Sequence, residues 1–278
     1  MSATTTRKLV RWTPSWLLLG LLTLLSLAPF AFVTLTAFKT AKNYAKDPIG
    51  LPNPPTLEFL ERALTTGNML TYLGNSLLVV GCAVLLLALT ASMAGYALAV
   101  IRFRGSALML LGIVCLLAVP AAVVMIPLYR TVGQLGLMNS HLGLILTYTA
   151  LQLPFSIYLM TSFLNGLPPE IIEAGRIDGA GHLQTFRHII LPLSAPALAT
   201  MSTLNFLWLF NELLFGLLLM QDDAKRTLPV GLASLQGQHT TPVPLLAAGL
   251  LLSLIPVLFV FLVAQRELAR GLTVGAVK

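Results

Sequence analysis

Charge is what this chain has least of. Lysine, arginine, aspartate and glutamate make up 10% of its 278 residues, where a soluble domain carries about 25%. With 56% hydrophobic residues and a mean hydropathy of +0.86, an ordinary soluble domain is excluded and a membrane protein is implied. Cysteine is nearly absent. Cys82 and Cys115 each lie inside an apolar run, so no disulfide framework is available and both are expected as small core residues. The four histidines, His141, His182, His188 and His239, form no close ligand spacing, which leaves no metal site. No G-x-x-x-x-G-K-[ST] run cradles a nucleotide, and no nucleophile elbow or H-E-x-x-H supplies a catalyst. In a soluble protein the net charge of +7 would suggest nucleic acid. Here it fits orientation in a bilayer, with no nucleic-acid partner.

The long apolar runs are what the chain does have. About 20 such residues cross the hydrocarbon core, and six spans are expected. They lie near Trp16–Phe38, Asn75–Val100, Ser106–Tyr129, Leu142–Leu164, Leu191–Met220 and Pro244–Ala264. The first is too long for a signal peptide's apolar core and reads as a retained helix. Pro120 and Pro127 fall in the third span and Pro154 in the fourth, each removing a backbone donor. Between the first two spans, Pro48, Pro52, Pro54 and Pro55 mark a loop, with a short amphipathic helix around Thr56–Leu64. The organisation is therefore residues 1–15 as an N-terminal segment and 16–74 as the first span with its outer loop. Residues 75–265 form the core and 266–278 the tail. No internal repeat and no broken helix is evident, and both would be expected of many ion-coupled transporters.

Six spans put both termini on one side. With that side cytoplasmic, the inner segments hold ten basic residues, among them Arg7, Lys8, Arg11, Arg102 and Arg104. The outer segments hold seven, namely Lys39, Lys42, Lys46, Arg62, Arg130, Lys225 and Arg226. The charges nearest the span ends favour this orientation.

One polar loop, residues 165–190, stands out between the fourth and fifth spans. Pro168-Pro169 can open a helix, and Glu170 and Glu173 suit its N-terminal end. Asp178-Gly179-Ala180-Gly181 then breaks it. Ala174, Gly175, Gly179 and Ala180 leave room for a partner to approach. On pattern alone the segment is either a capped connector or a docking element.

The run Glu173-Ala174-Gly175, then Gly179, then Ile189-Ile190-Leu191-Pro192 resembles the coupling motif of ABC-importer permeases. The second alanine of that motif is Gly175 here. Further stretches are similar in the same order: Asn75-Ser76-Leu77, Gly95-Tyr96-Ala97-Leu98-Ala99, Gly136-Leu137-Met138-Asn139-Ser140, Leu153-Pro154-Phe155 and the terminal Arg270-Gly271-Leu272-Thr273-Val274-Gly275-Ala276-Val277-Lys278. This last run is particularly like the second permease subunit of maltose-type carbohydrate importers.

The resemblance implies an all-α, six-span fold of type I importer form, in a bacterial or archaeal plasma membrane with cytoplasmic termini. It implies ATPase-coupling roles for Glu173, Ala174, Gly175, Asp178, Gly179, Ala180, Ile189, Leu191 and Pro192. It also implies a second, homologous permease, a cytoplasmic ATPase dimer that binds ATP and Mg, an extracytoplasmic substrate-binding protein facing residues 221–241, and a sugar cargo. The chain itself would bind no cofactor.

The fifth span also carries Asn205, Asn211 and Glu212. An ionisable group at that depth faces protein or water rather than lipid. These residues either line a translocation path or clamp helices together. An ion-coupled transporter using Glu212 is the alternative to the importer.

Overall fold

The computed structural model describes residues 3–65, 67–177, 179–236 and 241–274. Asp178, Gly237, His239 and the tail Gly275–Lys278 lie outside the described residues. Those described are helical, with no strand among them. Among the described residues four helices are long and apolar enough to cross a membrane, or up to six spans if each of two bent helix pairs counts as one. The chain divides into two compact units, residues 1–69 with 234–254 and residues 70–233 with 255–278.

The first unit contains α1 (Ala3–Ala37), whose spanning part is Trp16–Ala37, then α2 (Ala41–Lys46) and α3 (Glu58–Thr65). α3 is the amphipathic helix expected near Thr56–Leu64. It buries Phe59 and Ala63 and exposes Glu58 and Glu61.

The second unit is built on α4 (Met69–Tyr96), which runs into a π-helical turn at Ala97–Ile101. The second span thus starts at Met69, not Asn75. The third is not continuous. α5 (Ser106–Leu116) and α6 (Ala121–Gln134) meet at 100°. The cause is Pro120, not Pro127. The last turn before it tightens into three successive i→i−3 bonds from Leu117, Ala118 and Val119. Pro120 is extended (φ −64°, ψ 136°), and the residue before a proline is disfavoured from the helical region. Pro127 stays within α6.

α7 (His141–Asn165) is a full span. Ser140 caps it, accepting from the Gly143 amide at 3.1 Å. After α8 (Pro169–Ile177) and α9 (His182–Thr185), a second π-helical turn at Phe186–Ile190 and α10 (Leu191–Leu193) lead into α11 (Ala195–Phe210). The stretch His182–Leu193 meets α11 at 71°. Pro192 and Pro196, four apart, each remove a helical donor there. The fifth span stops at Phe210 and resumes as α12 (Leu214–Leu219). The broken helices that the sequence did not reveal are therefore present. A 3-10 turn at Asp223–Lys225, α13 (Leu228–Gln236) and α14 (Val243–Val274) complete the order.

The core of the second unit joins α4, α7 and α11 through Ala91, Leu98, Ile157, Met160, Ala197 and Met201. At Gly95 a Cβ would lie 2.9 Å from Met160 Cβ and 3.2 Å from the Thr161 nitrogen, so α4 and α7 pack nearly backbone to backbone. Cys82 and Cys115 are not core residues; both are exposed on the faces of apolar helices.

Candidate functional site

Three polar constellations lie within the second unit, one at each end of its helix bundle and one between them. At the first end, α8 carries Glu170 in its opening turn, with Glu173 and Ala174 exposed. Gly179, at φ +78°, closes the helix. The Ala180 amide reaches back to the Gly175 carbonyl at 3.0 Å, the six-to-one bond of a helix end finished by a left-handed glycine. The chain then turns into α9, whose start is held by Gln184 accepting from the Gly181 amide at 3.1 Å.

Gly175 does not belong to the exposed surface. It is buried, and a Cβ there would lie 2.5 Å from Ile189 Cδ1. The small residue lets α8 press against the π-helical turn. Two exposed apolar side chains extend the surface that the small residues suggested. Ile177 is 86% exposed and Leu183 76%, one on each side of the bend. No spacing rule would have singled them out.

This bent element is anchored firmly. Tyr96 from the end of α4, Ala99 and Val100 from the π-helical turn that follows it, Leu164 from α7, and Ile190 form one buried cluster. Leu167, Ile172 and Phe186 pack onto it. The Tyr96 and Phe186 rings lie 5.3 Å apart, and Tyr96 Oη is 3.5 Å from His182 Nδ1. Both π-helical turns contribute to this one cluster, and such turns often sit at functional sites. Ile189 is partly buried and Ile190 buried, while Leu191 and Pro192 enter α10 at the base of the bend.

The intermediate constellation centres on Glu212. Its carboxylate accepts from Tyr148 Oη at 2.8 Å, from the Phe215 amide at 3.0 Å and from the Gly216 amide at 3.2 Å. It therefore caps the first turn of α12 and ties it to α7. Tyr148 is fully buried. Asn205 is also buried. It donates to Ser156 Oγ at 3.0 Å and to the Met201 carbonyl at 2.9 Å, so it binds α7 to α11. Asn211 alone of the three is exposed, with its amide turned back onto the Leu207 carbonyl. Glu212 and Asn205 are thus placed as inter-helix clamps. Of the nearby aromatics, Phe210 and Phe215 are buried and Trp208 is exposed.

At the opposite end, the stretch from Gln221 to Arg226 is stapled from three directions. Asn139, in the left-handed region at φ 53°, accepts through Oδ1 from the Gln221 and Asp222 amides at 3.1 and 3.0 Å. Its amide donates to the Leu219 carbonyl and its side chain to the Asp222 carboxylate. Asn75 donates to the carbonyls of Ala224 and Arg226, each at 2.9 Å. Tyr72 donates to Asp223 at 2.8 Å, and Ser76 Oγ accepts from the Leu228 amide at 2.8 Å. Hydrogen bonds from Asn139, then from Lys225, hold the Asp222 carboxyl below the usual carboxylate range. The sequence marked Asn75-Ser76, the Asn139 turn and the loop 221–241, but not that the first two hold the third. Partners some 80 or 150 positions apart leave no local signal.

Residues 89–274 match the family described as binding-protein-dependent transport system inner membrane components. The chain is 35% identical to the trehalose/maltose transport system permease protein of Thermococcus litoralis, covering 93% of this chain and 94% of that one. It is 33% identical to a diacetylchitobiose uptake system permease protein of Streptomyces coelicolor (93% and 86% covered). It is 31% identical to the melibiose/raffinose/stachyose import permease protein of Bacillus subtilis (90% and 91%). In fold it resembles a chain of a bacterial ABC transporter involved in the import of the acidic polysaccharide alginate. The TM-score is 0.83 at 22% identity, over 96% of this chain and 98% of that one.

Proposed function

The chain belongs to the family of binding-protein-dependent transport system inner membrane components, and from that membership we propose how it works. It is a multi-pass permease subunit of an ABC importer for carbohydrate. We infer a di- or oligosaccharide cargo, since relatives of near-full coverage are named for trehalose/maltose, diacetylchitobiose and the melibiose, raffinose and stachyose set. The importer pairs this chain with a second, homologous permease and with an extracytoplasmic binding protein. ATP and Mg are held by a cytoplasmic ATPase dimer, and this chain performs no hydrolysis.

The observation that carries the reading is the build of the bent element at Pro169–Ile190. Glu173, Ala174, Ile177 and Leu183 are exposed, while Gly175, Ile172, Phe186 and Ile190 lock the same element to the ends of α4 and α7. A partner gripping the outer side moves the helix ends with it. Glu173 and its small neighbours Ala174 and Ala180 seat the element in the ATPase, with Gly179 at the bend. Ile189, Leu191 and Pro192 pass the motion into α11. Closure of the ATPases then rocks the bundle between two packed arrangements. Exposed Arg102, Arg104 and Arg187 at this end support a cytoplasmic placement for it and for both termini. The stapled stretch Gln221–Arg226 then faces the binding protein. Glu212 is satisfied by three donors as a structural cap, which favours the importer over ion coupling at that residue.

The test is the chain reconstituted with its neighbouring permease, ATPase and binding protein in liposomes. Glu173→Lys is expected to leave insertion and assembly of the permease pair intact and to abolish sugar-stimulated ATP hydrolysis. Unaltered transport by that variant would refute the coupling role.

A further inference from the structure

A second membrane contact is built into the first unit, beyond its spanning helix. The spanning part of α1 ends at Ala37. Two residues later Lys39, fully buried, turns its ammonium onto the carbonyls of Asp47 at 2.9 Å and Pro48 at 2.8 Å. A buried lysine satisfied by backbone carbonyls is a costly feature to keep. It draws residues eight and nine positions further along the chain back to within one side chain's reach of the helix end. The loop is fastened again where the Thr56 amide donates to the Phe38 carbonyl at 2.9 Å, and where Asn43 donates to the Asn53 carbonyl at 3.2 Å.

What this frame presents is apolar. Asp47 Oδ1 accepts from the Ile49 and Gly50 amides at 3.2 and 2.8 Å, fixing a tight tip. On that tip Ile49 is 82% exposed and Leu51 74%. Just before it, α2 exposes Lys42 and Lys46, four apart and so on one helix face. The tip cannot lie far from the end of the span, because Lys39 holds it there. By the length and composition of that span, its end marks the level where hydrocarbon gives way to headgroups. Apolar side chains beside lysines at that level suit an interfacial segment.

We propose that the Ile49–Leu51 tip inserts into the lipid interface beside the first span, with Lys42 and Lys46 against anionic headgroups. The spanning helix is thereby fixed in depth by a rigid foot. This inference goes beyond the transport reading and does not depend on the cargo.

The experiment uses the full chain with its partner permease and ATPase in vesicles of phosphatidylglycerol and phosphatidylcholine. A bimane label is placed at Ile49→Cys in a background with Cys82→Ser and Cys115→Ser. Quenching by lipids brominated on the acyl chain, together with shielding from aqueous iodide, is the expected result. A label open to iodide and unquenched by lipid would overturn the proposal. So would a label shielded from both quenchers, or one shielded only after the binding protein is added, since each makes the occupant a protein.

Removing Lys42 and Lys46 (K42Q with K46Q) leaves the Lys39 frame untouched. It is expected to lower the ratio of inserted to exposed tip by roughly fivefold per lysine in anionic vesicles and not at all in purely neutral ones. Equal ratios in anionic vesicles would overturn the assignment to an anionic surface.

Discussion

Tyr148 and Glu212 form a pair whose coupling can be measured directly. Tyr148→Phe keeps the ring in its buried site and deletes one 2.8 Å hydrogen bond to Glu212. A bond to a charged acceptor is worth about 1.5–3 kcal/mol. Glu212→Ala removes more. The buried Tyr148 hydroxyl loses its acceptor, at about 1–3 kcal/mol. The Phe215 and Gly216 amides lose their cap, at about 1 kcal/mol. The expected losses are therefore about 2 kcal/mol for the tyrosine variant and about 3 kcal/mol for the glutamate variant. The double variant should fall short of their sum by about 1.5 kcal/mol, because the shared bond is lost only once.

The four proteins would be unfolded reversibly by SDS titration from mixed micelles and compared at one midpoint. Losses that add within about 0.5 kcal/mol would refute the clamp. The variant E212Q sharpens the outcome, because its amide oxygen can still accept from the α12 amides. It should retain sugar uptake driven by ATP. Loss of uptake with an unchanged unfolding midpoint would place Glu212 in transport itself.

Other consequences are more local. Gly231→Ala should be severely destabilising, since its Cβ would lie 2.1 Å from Cδ2 of the Tyr72 ring, and that ring is buried and held through Asp223. The check is the yield of folded protein beside Gly20→Ala, where nothing lies within 4 Å. Ile177→Asp and Leu183→Asp should each weaken ATPase binding by about 1.5–3 kcal/mol, roughly ten- to hundredfold in Kd, as read by titrating ATPase onto the reconstituted permease pair. The Asp222 carboxyl is depressed in the folded state, so its contribution is present above the unfolded carboxylate pKa of about 3.9 and is lost as pH falls through the lower folded value. Hydrogen-exchange protection of the Gln221 and Asp222 amides should accordingly hold from pH 7 to 5 and weaken below pH 4. Protection that rises on acidification would contradict the sign.

The spans that matched the sequence closely are those with uniform apolar runs. Trp16–Ala37, His141–Asn165 and Val243–Gln265 fall within a residue or two of their expected limits. The Gly179 bend was legible too, because only a few residues tolerate a left-handed backbone. The breaks were not. Hydropathy averages over a window, so it passes straight through the Leu117–Pro120 corner and the Asn211–Leu213 gap. Proline position alone misled, since Pro127 and Pro154 stay inside helices while Pro120 ends one. Gly175 misled in another way. Its place in a motif suggested a surface, yet its closest neighbour is the inward-facing Ile189. Tyr148 drew no attention at all, because a tyrosine in an apolar helix announces no partner 64 residues away.

The contact at Gly95 has a mechanical consequence. Two helices whose backbones nearly touch can neither twist nor slip against each other without a collision, so α4 and α7 behave as a single strut. Any change of shape in the second unit must then be taken up at its corners: Leu117–Pro120, Ser194 and Asn211–Leu213. A larger residue at position 95 would not merely loosen packing. It would prise the strut into two members, and a displacement of one end would no longer be carried to the other.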